Sequence, residues 1–240
     1  AIDSDKNLDQ LSGEGFVEKM LDALVIHEKY DSTVVSIIRA LITLSSSKSP
    51  HGASNLQKIS TVRVARLVVS AMKTNDDSAE VARWGCQYIS HVASSPEVRQ
   101  VIGSRNVCDA ISSALKKHVD DADVCIYACR AIVELCKLSS NLLSYLSSSD
   151  TCVAVVGPIQ THATNGPVID ACVAAIVVIA SHEPNLAKLG TTKLPLHLVT
   201  ALKSHYKMTS VAKTISQAIY CLTKDAGNRS VLGMSGASYC

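Results

Sequence analysis

Four residues in the middle of the chain carry side chains that could bind a metal ion. Cys125 and Cys129 lie four positions apart, so a helix would place them on one face, and His118 and Cys136 are nearby in the sequence. Structural zinc sites are usually built from closer pairs such as Cys-x-x-Cys, and this sequence contains none. The spacing therefore predicts no metal site, and we expect no cofactor.

Motifs for catalysis and nucleotide binding are also missing from the sequence. It contains no Gly-rich phosphate loop, no His-Glu-x-x-His, no Gly-x-Ser-x-Gly and no dinucleotide-binding fingerprint. The eight histidines are scattered, and those at helix ends are suited to capping, because the helix dipole favours an imidazolium there. The protein is therefore predicted not to be an enzyme.

The nine cysteines form an odd number with irregular spacing. Most lie inside apolar helical segments, such as Cys129-Arg-Ala-Ile-Val-Glu-Leu-Cys136. This pattern is typical of small buried thiols in a reducing compartment. The cysteines are at positions 86, 108, 125, 129, 136, 152, 172, 221 and 240.

The composition limits both the core and the partners. Hydrophobic residues make up 47% of the chain and aromatic residues only 4%, so the core must consist of aliphatic side chains and cysteine, as in thin helical layers. A net charge of +2 offers no strong field for nucleic acid or an anionic membrane. No apolar segment reaches the roughly 18 to 20 residues that cross a bilayer. We expect a soluble cytoplasmic protein, with the nucleus as the alternative compartment, that neither binds nucleic acid nor inserts into a membrane.

A repeated pattern of helices must position these residues. Five long helices are predicted to end in similar phrases: Arg39-Ala-Leu-Ile-Thr-Leu44, Gln87-Tyr-Ile-Ser-His-Val92, Arg130-Ala-Ile-Val-Glu-Leu135, Ala174-Ala-Ile-Val-Val-Ile179 and Gln217-Ala-Ile-Tyr-Cys-Leu222. Aligned on Ala40, Tyr88, Ala131, Ala175 and Ala218, they are separated by 48, 43, 44 and 43 residues. Such a period indicates stacked helical units. The longer first interval contains the polar stretch 45–52, which is predicted to be a loop insertion.

Short segments after these helices also repeat. Glu97-Val-Arg-Gln-Val-Ile and Asn228-Arg-Ser-Val-Leu, the latter followed by Ser235-Gly-Ala, resemble the short first helix of an armadillo repeat, which ends in Ala-Gly-Ala. The resemblance covers about residues 14–240 and implies an all-α fold, a right-handed α-solenoid of the armadillo type. A HEAT-type repeat with two helices per unit is the alternative. The glycines between short and long helices favour the armadillo type.

The resemblance divides the chain into a polar segment, 1–13, and one domain of five units, about 14–59, 60–105, 106–149, 150–192 and 193–240. Each unit would expose an apolar flank that the next unit covers. Both ends resemble parts of further units, so we expect either a fragment of a longer protein with additional repeats at the open ends, or ends that unusual tails or self-association cover. The predicted inner layer consists of Phe16, Met20, Leu21, Leu24, Val64, Leu67, Val68, Ala71, Ile111, Leu115, Val153, Val156, Ile159, Leu198 and Leu202.

In armadillo arrays the last helix of each unit lines a concave groove, and the resemblance implies such a groove here. Positions four before, one before and three after the aligned alanine share a helical face. In units one to three they combine Trp, Tyr and Arg, which are common interface anchors. The predicted partner-binding groove consists of Arg39, Thr43, Trp84, Gln87, His91, Tyr127, Arg130 and Glu134. The same face begins at Ser36 and continues through Ala171, Ala174, Val178, Thr214, Gln217 and Cys221.

This face has alternative explanations. One is that Trp84 covers its own core while the arginines are solvated, and the apolar set Ala171, Ala174 and Val178 is explained either by packing or by docking of a partner helix. Nuclear-import receptors of the armadillo family bind lysine-rich peptides through asparagines three positions after the aligned alanine. This chain has none there, so basic peptides are not expected as partners.

The predicted function is a non-catalytic scaffold or adaptor that holds a partner peptide or protein along the groove. Two alternatives are open. One is regulation of a small GTPase or a cytoskeletal assembly factor within a longer chain, and the other is membrane targeting through a lipidated extension outside this sequence.

Overall fold

The computed structural model describes residues 15–46, 50–137 and 150–235. Over these ranges the chain is helical and contains no strand, so the prediction of an all-α fold is confirmed. In chain order the helices are α1 (Phe16–Ile26), α2 (Asp31–Ser46), α3 (Pro50–Ile59), α4 (Val62–Thr74), α5 (Ala79–Val92), α6 (Pro96–Ile102), α7 (Arg105–Lys117), α8 (Ala122–Cys136), α9 (Thr151–Ala154), α10 (Gly157–Thr161), α11 (Gly166–Ile179), α12 (Glu183–Gly190), α13 (Leu194–His205), α14 (Thr209–Leu222) and α15 (Ala226–Met234).

Capping side chains explain where three of the long helices begin. The side chains of Ser78, Asp121 and Asn165 each accept a hydrogen bond from the backbone N–H of the residue three positions later in the chain. A side chain in this position satisfies an N–H group that has no partner within the helix. The three caps are 43 and 44 residues apart, so α5, α8 and α11 begin at equivalent places in the sequence repeat.

Equivalent helices contact one another in chain order. The long helices α2, α5, α8, α11 and α14 form one row in which each contacts the next. The helices that precede them form a second row in the same way, from α1 through α4, α7 and α10 to α13. Residues on one long helix are therefore brought close to their counterparts one repeat later.

Side chains at the ends of the second-row helices join neighbouring repeats. The Asn75 amide donates to the carbonyl oxygen of Glu28 over 2.7 Å. Nε2 of His118, His162 and His205 lies 2.9, 2.8 and 2.8 Å from the carbonyl oxygens of residues 76, 119 and 163, and an imidazole N–H must donate to each. The four side chains are 43, 44 and 43 residues apart. These three histidines are therefore not scattered. They recur once in each repeat, and each bonds to a carbonyl of the preceding repeat.

A helix break in the fourth repeat turns one predicted core residue outward. Pro158 has no N–H to donate to the carbonyl of Ala154, so the helix that begins at Thr151 ends there and a new one begins at Gly157. One continuous helix through this segment would place Val153 and Val156 three positions apart on neighbouring parts of one face. Val153 is 39% exposed, so its assignment to the core is wrong, whereas its two predicted neighbours on that face are buried.

The assignment of Phe16 to the core is also wrong. Phe16 is 38% exposed. It is the first residue of α1 and follows Gly15, whose φ of 68° is left-handed, so its ring has no preceding helical turn to lie against. Leu67 and Leu202 are half-buried and pack against the core. The remaining residues of the predicted inner layer are buried.

The stretch predicted as a loop insertion is largely helical. Ser45 and Ser46 end α2, and α3 begins at Pro50, in keeping with the preference for proline in a first helical turn. Nδ2 of Asn55 donates to the carbonyl oxygen of Leu44 over 3.3 Å, which attaches α3 to α2. Residues 47–49 of this stretch, the predicted polar segment 1–13 and the last predicted phrase from 236 to 240 lie outside the described residues.

Candidate binding groove

Arginine and aromatic side chains alternate across α2, α5 and α8. The Cζ atom of Arg39 lies 5.5 Å from the ring centroid of Trp84, and that of Arg130 lies 5.6 Å from the ring centroid of Tyr127. Between the two rings, Cζ of Arg83 lies 5.3 Å from Trp84 and 5.8 Å from Tyr127. We call this series the arginine–aromatic row. It brings four of the eight predicted groove residues together and adds Arg83.

The contacts in the row hold its side chains in place before any partner binds. Each is an attraction between a guanidinium and the negative face of an aromatic ring, worth about 0.5–1 kcal/mol at an exposed site. The four contacts connect three successive long helices. Arginines restrained in this way lose less conformational freedom when they bind an anion.

Arg83 is the functional candidate that sequence reasoning missed. It precedes Trp84 by one position, which on a helix is about 100° away from the predicted face, and its long side chain brings the guanidinium back between the rings. Nη1 of Arg83 lies 3.2 Å from Oδ2 of Asp123 in the first turn of α8. That acidic residue, placed in the next long helix, was the available sequence signal. Nε of Arg83 is buried and has no hydrogen-bond partner among the described residues.

Positive charge lies at the two ends of the row. Arg39 and Arg130 are exposed, and within the described ranges no carboxylate oxygen comes within 4.0 Å of either guanidinium. Arg83, in the middle, is paired with Asp123. The row therefore offers two guanidinium groups, one repeat on either side of α5, to an anionic partner.

Two predicted groove residues on α5 are half-buried. Nε2 of His91 lies 2.9 Å from Oγ of Ser45 on α2, and burial lowers the pKa of His91. Gln87 is half-buried, and its Oε1 has no hydrogen-bond partner in the described part of the chain. An enclosed polar atom without a partner costs about 1–3 kcal/mol, so this part of the face is not fully satisfied on its own.

The two remaining predicted residues bond to residues three or four positions away along the chain. The hydroxyl of Thr43 donates to the carbonyl oxygen of Arg39 over 2.9 Å. The Glu134 carboxylate lies 2.6 Å from Nζ of Lys137. Neither residue takes part in the four arginine–ring contacts of the row. Their part in binding stays a prediction.

A pocket of about 410 Å³ opens beside Arg130, between α8, α11 and α14. Its lining includes Ala171 and Ala174 of the predicted apolar set, both half-buried, whereas Val178 lies outside it. The small side chains of α11 leave space here that larger ones would fill. We call it the α11 pocket, and its other lining residues are Arg130, Val133, Glu134, Gly166, Pro167, Asp170, Met208, Ser210 and Val211.

The fifth repeat closes one side of the α11 pocket. The hydroxyl of Thr214 donates to Oδ1 of Asp170 over 2.9 Å, which connects α14 to α11 and partly satisfies this carboxylate. Gln217 is exposed and Cys221 is half-buried. Arg130 belongs both to the arginine–aromatic row and to the lining of the α11 pocket, so the two features adjoin.

The seven thiols from Cys86 to Cys172 are buried, and three of them follow the repeat. Cys86, Cys129 and Cys172 are fully buried and 43 residues apart, so the expectation of irregular spacing is wrong for these three. Sγ of Cys129 lies 3.5 Å from Sγ of Cys172, and this contact, with burial, raises the pKa of Cys129. Burial also raises the thiol pKa to about 12 in Cys86, Cys108, Cys125 and Cys136.

These thiols are therefore poor nucleophiles at neutral pH, because the thiolate is the reactive form. The described residues contain no group of three or more His, Cys, Asp or Glu arranged to hold a metal ion. Cys240 lies outside the described ranges.

Comparisons with known proteins add no family assignment. None of the helices in the described ranges combines the length and apolarity needed for a membrane span. The chain matches no protein-family model, no curated protein and no solved structure at a significant level.

Proposed function

We propose that the chain is a right-handed armadillo-type solenoid in which α2, α5, α8, α11 and α14 line one concave groove. Three observations support this proposal: the sequence period of 43 to 44 residues over the last three intervals, the chain-order contacts within each row of helices, and the side chains that bond to the preceding repeat. In a solenoid each unit is covered by its neighbours, which accounts for all three.

We infer that the groove makes this protein a non-catalytic scaffold or adaptor that binds a partner peptide or protein. The observation that carries the inference is the arginine–aromatic row. Hot spots at protein interfaces are enriched in Trp, Tyr and Arg, and a side chain that is already held in position loses less freedom on binding. Here two rings and three guanidinium groups from three helices are held against one another.

The alternative explanation of Trp84 as a cover for the core is compatible with binding. Trp84 is half-buried and packs against the core, while arginines from α2 and α5 lie over its ring. A side chain anchored on one side and partly accessible on the other is a rigid contact surface, because it loses little freedom when a partner binds.

The single tryptophan of the chain allows a direct test. Peptides of about twelve residues would be selected on the native protein from a random library, made without tryptophan and titrated into it while Trp84 emission is recorded. Because indole emission responds to nearby charge and water, we expect a saturable change and protection of Trp84 from acrylamide quenching. Trp84→Phe should abolish the signal.

Affinity measured independently by calorimetry provides the control. The proposal fails if the selected peptides bind with unchanged Trp84 emission and unchanged quenching, because binding would then occur away from the row. Arg66→Glu serves as the matched surface variant, since Arg66 is an exposed cation on α4 of the other helix row. It should leave both affinity and emission unchanged.

A further inference from the structure

We propose that the groove selects an extended acidic segment that also carries one large apolar side chain. Its carboxylates pair with Arg39 and Arg130, and its apolar side chain enters the α11 pocket. This inference rests on the proposed function and specifies the chemistry of the partner.

The charges of the row indicate that the partner segment is negatively charged. Of its three guanidinium groups, Arg83 is neutralised by Asp123 at 3.2 Å, whereas the exposed Arg39 and Arg130 have no carboxylate within 4.0 Å in the described ranges. Guanidinium groups bind carboxylates through paired, charge-assisted hydrogen bonds. A basic segment would meet like charges at both ends of the row.

The nearby carboxylates do not reverse this preference. Glu134 is paired with Lys137 at 2.6 Å, and Asp170 accepts a hydrogen bond from Thr214 at 2.9 Å. Neither is within ion-pair distance of Arg130. Arg130 therefore keeps its charge available to a partner even though all three side chains line the same pocket.

The α11 pocket indicates the second chemical feature of the partner, a large apolar side chain. Its volume of about 410 Å³ lies in the range typical of ligand pockets. Ala171 and Ala174 line it as small apolar side chains, and Pro167, Met208 and Val211 add apolar surface, while its charged and polar lining residues include Arg130. This combination suits a leucine, methionine or phenylalanine side chain, which would exclude water there.

One residue, Arg130, belongs to both the arginine–aromatic row and the α11 pocket. Arg130 ends the arginine–aromatic row through its contact with Tyr127 and also lines the α11 pocket. A segment whose carboxylate pairs with Arg130 therefore has neighbouring side chains within reach of the pocket. The two sites are thus suited to one continuous segment that runs across α2, α5, α8 and α11.

The test begins with the composition of the peptides selected from the random library. We expect enrichment in Asp and Glu together with Leu, Met or Phe. Within a selected peptide, each Glu→Gln replacement should weaken binding about fivefold to tenfold and reduce its salt dependence. The loss should largely disappear when the same peptides are measured on Arg39→Glu/Arg130→Glu, because the pairs are already broken.

A second arm tests the pocket. Ala174→Trp fills it, and the matched control is Ala187→Trp, at an exposed alanine on α12. Replacing the apolar anchor of the peptide by serine should weaken binding about tenfold or more on the native protein and on the control, and little on Ala174→Trp. Melting temperatures of both variants report whether the fold is retained, and the peptide replacements on the native protein remain informative if it is not.

The outcomes separate this inference from the proposed function. Selected peptides that are basic or uncharged, or whose Glu→Gln replacements have no effect while Trp84 emission still responds, would overturn the acidic partner and leave the groove in place. An anchor replacement without effect would overturn the pocket assignment. Peptides that bind without any response of Trp84 would contradict the proposed function itself.

Discussion

Arg83 illustrates how one residue organises a surface. Its guanidinium lies between the rings of Trp84 and Tyr127 and is paired with Asp123. These contacts join α5 to α8 and place the two rings on either side of one cation. The planar group of arginine can contact an aromatic ring and a carboxylate together, which a lysine ammonium does less well.

Replacing Arg83 should therefore reduce stability and disturb the row. We expect Arg83→Ala to lower the free energy of unfolding by about 1–2 kcal/mol, from the lost ring contacts and a partly exposed ion pair. Asp123→Asn should cost less than about 1 kcal/mol, because it removes only the ion pair. Urea unfolding of both variants measures the difference. Equal losses would show that the ring contacts contribute nothing.

His91 makes stability depend on pH. Burial lowers its pKa below the ordinary value of about 6.5, so the unfolded chain binds a proton more readily than the folded protein does. The stability from the neutral imidazole is fully present above about pH 6.5 and is lost as the pH falls through the lower folded pKa.

We expect the melting temperature to decrease between about pH 7.5 and about pH 5, with a smaller decrease for His91→Gln. Glutamine retains a hydrogen-bonding group for Ser45 but does not titrate in this range. Thermal melts at the two pH values provide the measurement. An equal decrease in the two proteins would mean that other groups cause the pH dependence.

At the scale of helices, contacts at the helix ends set the stacking of neighbours. Asn75, His118, His162 and His205 occupy equivalent places and bond to a carbonyl of the preceding repeat. Those carbonyls lie in turns that follow helices, where no helical N–H is available to them. The bonds therefore give these turn carbonyls a hydrogen-bond donor and fix the position of one helix pair on the next.

His162 tests this contribution. We expect His162→Ala to lower the free energy of unfolding by about 1–3 kcal/mol, because the carbonyl of Val119 loses a donor. His162→Asn should recover part of the loss, since Asn75 makes the equivalent bond in an earlier repeat. The comparison is made by urea unfolding. No recovery would indicate that the imidazole acts through its packing and not through its hydrogen bond.

At the scale of the whole molecule, burial depends on successive helices covering one another. Most of the helices are shorter than about 15 residues, a length at which an isolated helix is only marginally stable in water. The core runs from α1 to α15 and consists mainly of aliphatic side chains. Cysteines take part in this core from α5 to α11, all of them buried. Their reactivity therefore reports whether the stack is intact.

In a Cys221→Ser/Cys240→Ser background, the seven remaining thiols should react slowly with a disulfide reagent at about pH 8 in the native protein. The reason is their burial and, for Cys86, Cys108, Cys125 and Cys136, a pKa of about 12. All seven should react rapidly in denaturant. Rapid reaction of several thiols under native conditions would contradict the packing described here.

Features that depend on neighbours along one helix could be predicted from the amino-acid sequence. Apolar periodicity was sufficient for the all-α fold and most of the inner layer, and spacings of three and four residues placed Arg39, Trp84, Tyr127 and Arg130 on matching faces. Contacts between helices became visible only in the folded protein. Arg83 reaches between two rings, three histidines bond to the preceding repeat, and Pro158 breaks a helix and turns Val153 outward. Small residues on α11 leave a pocket. These features depend on side-chain reach and on the space between packed helices, which local periodicity does not encode.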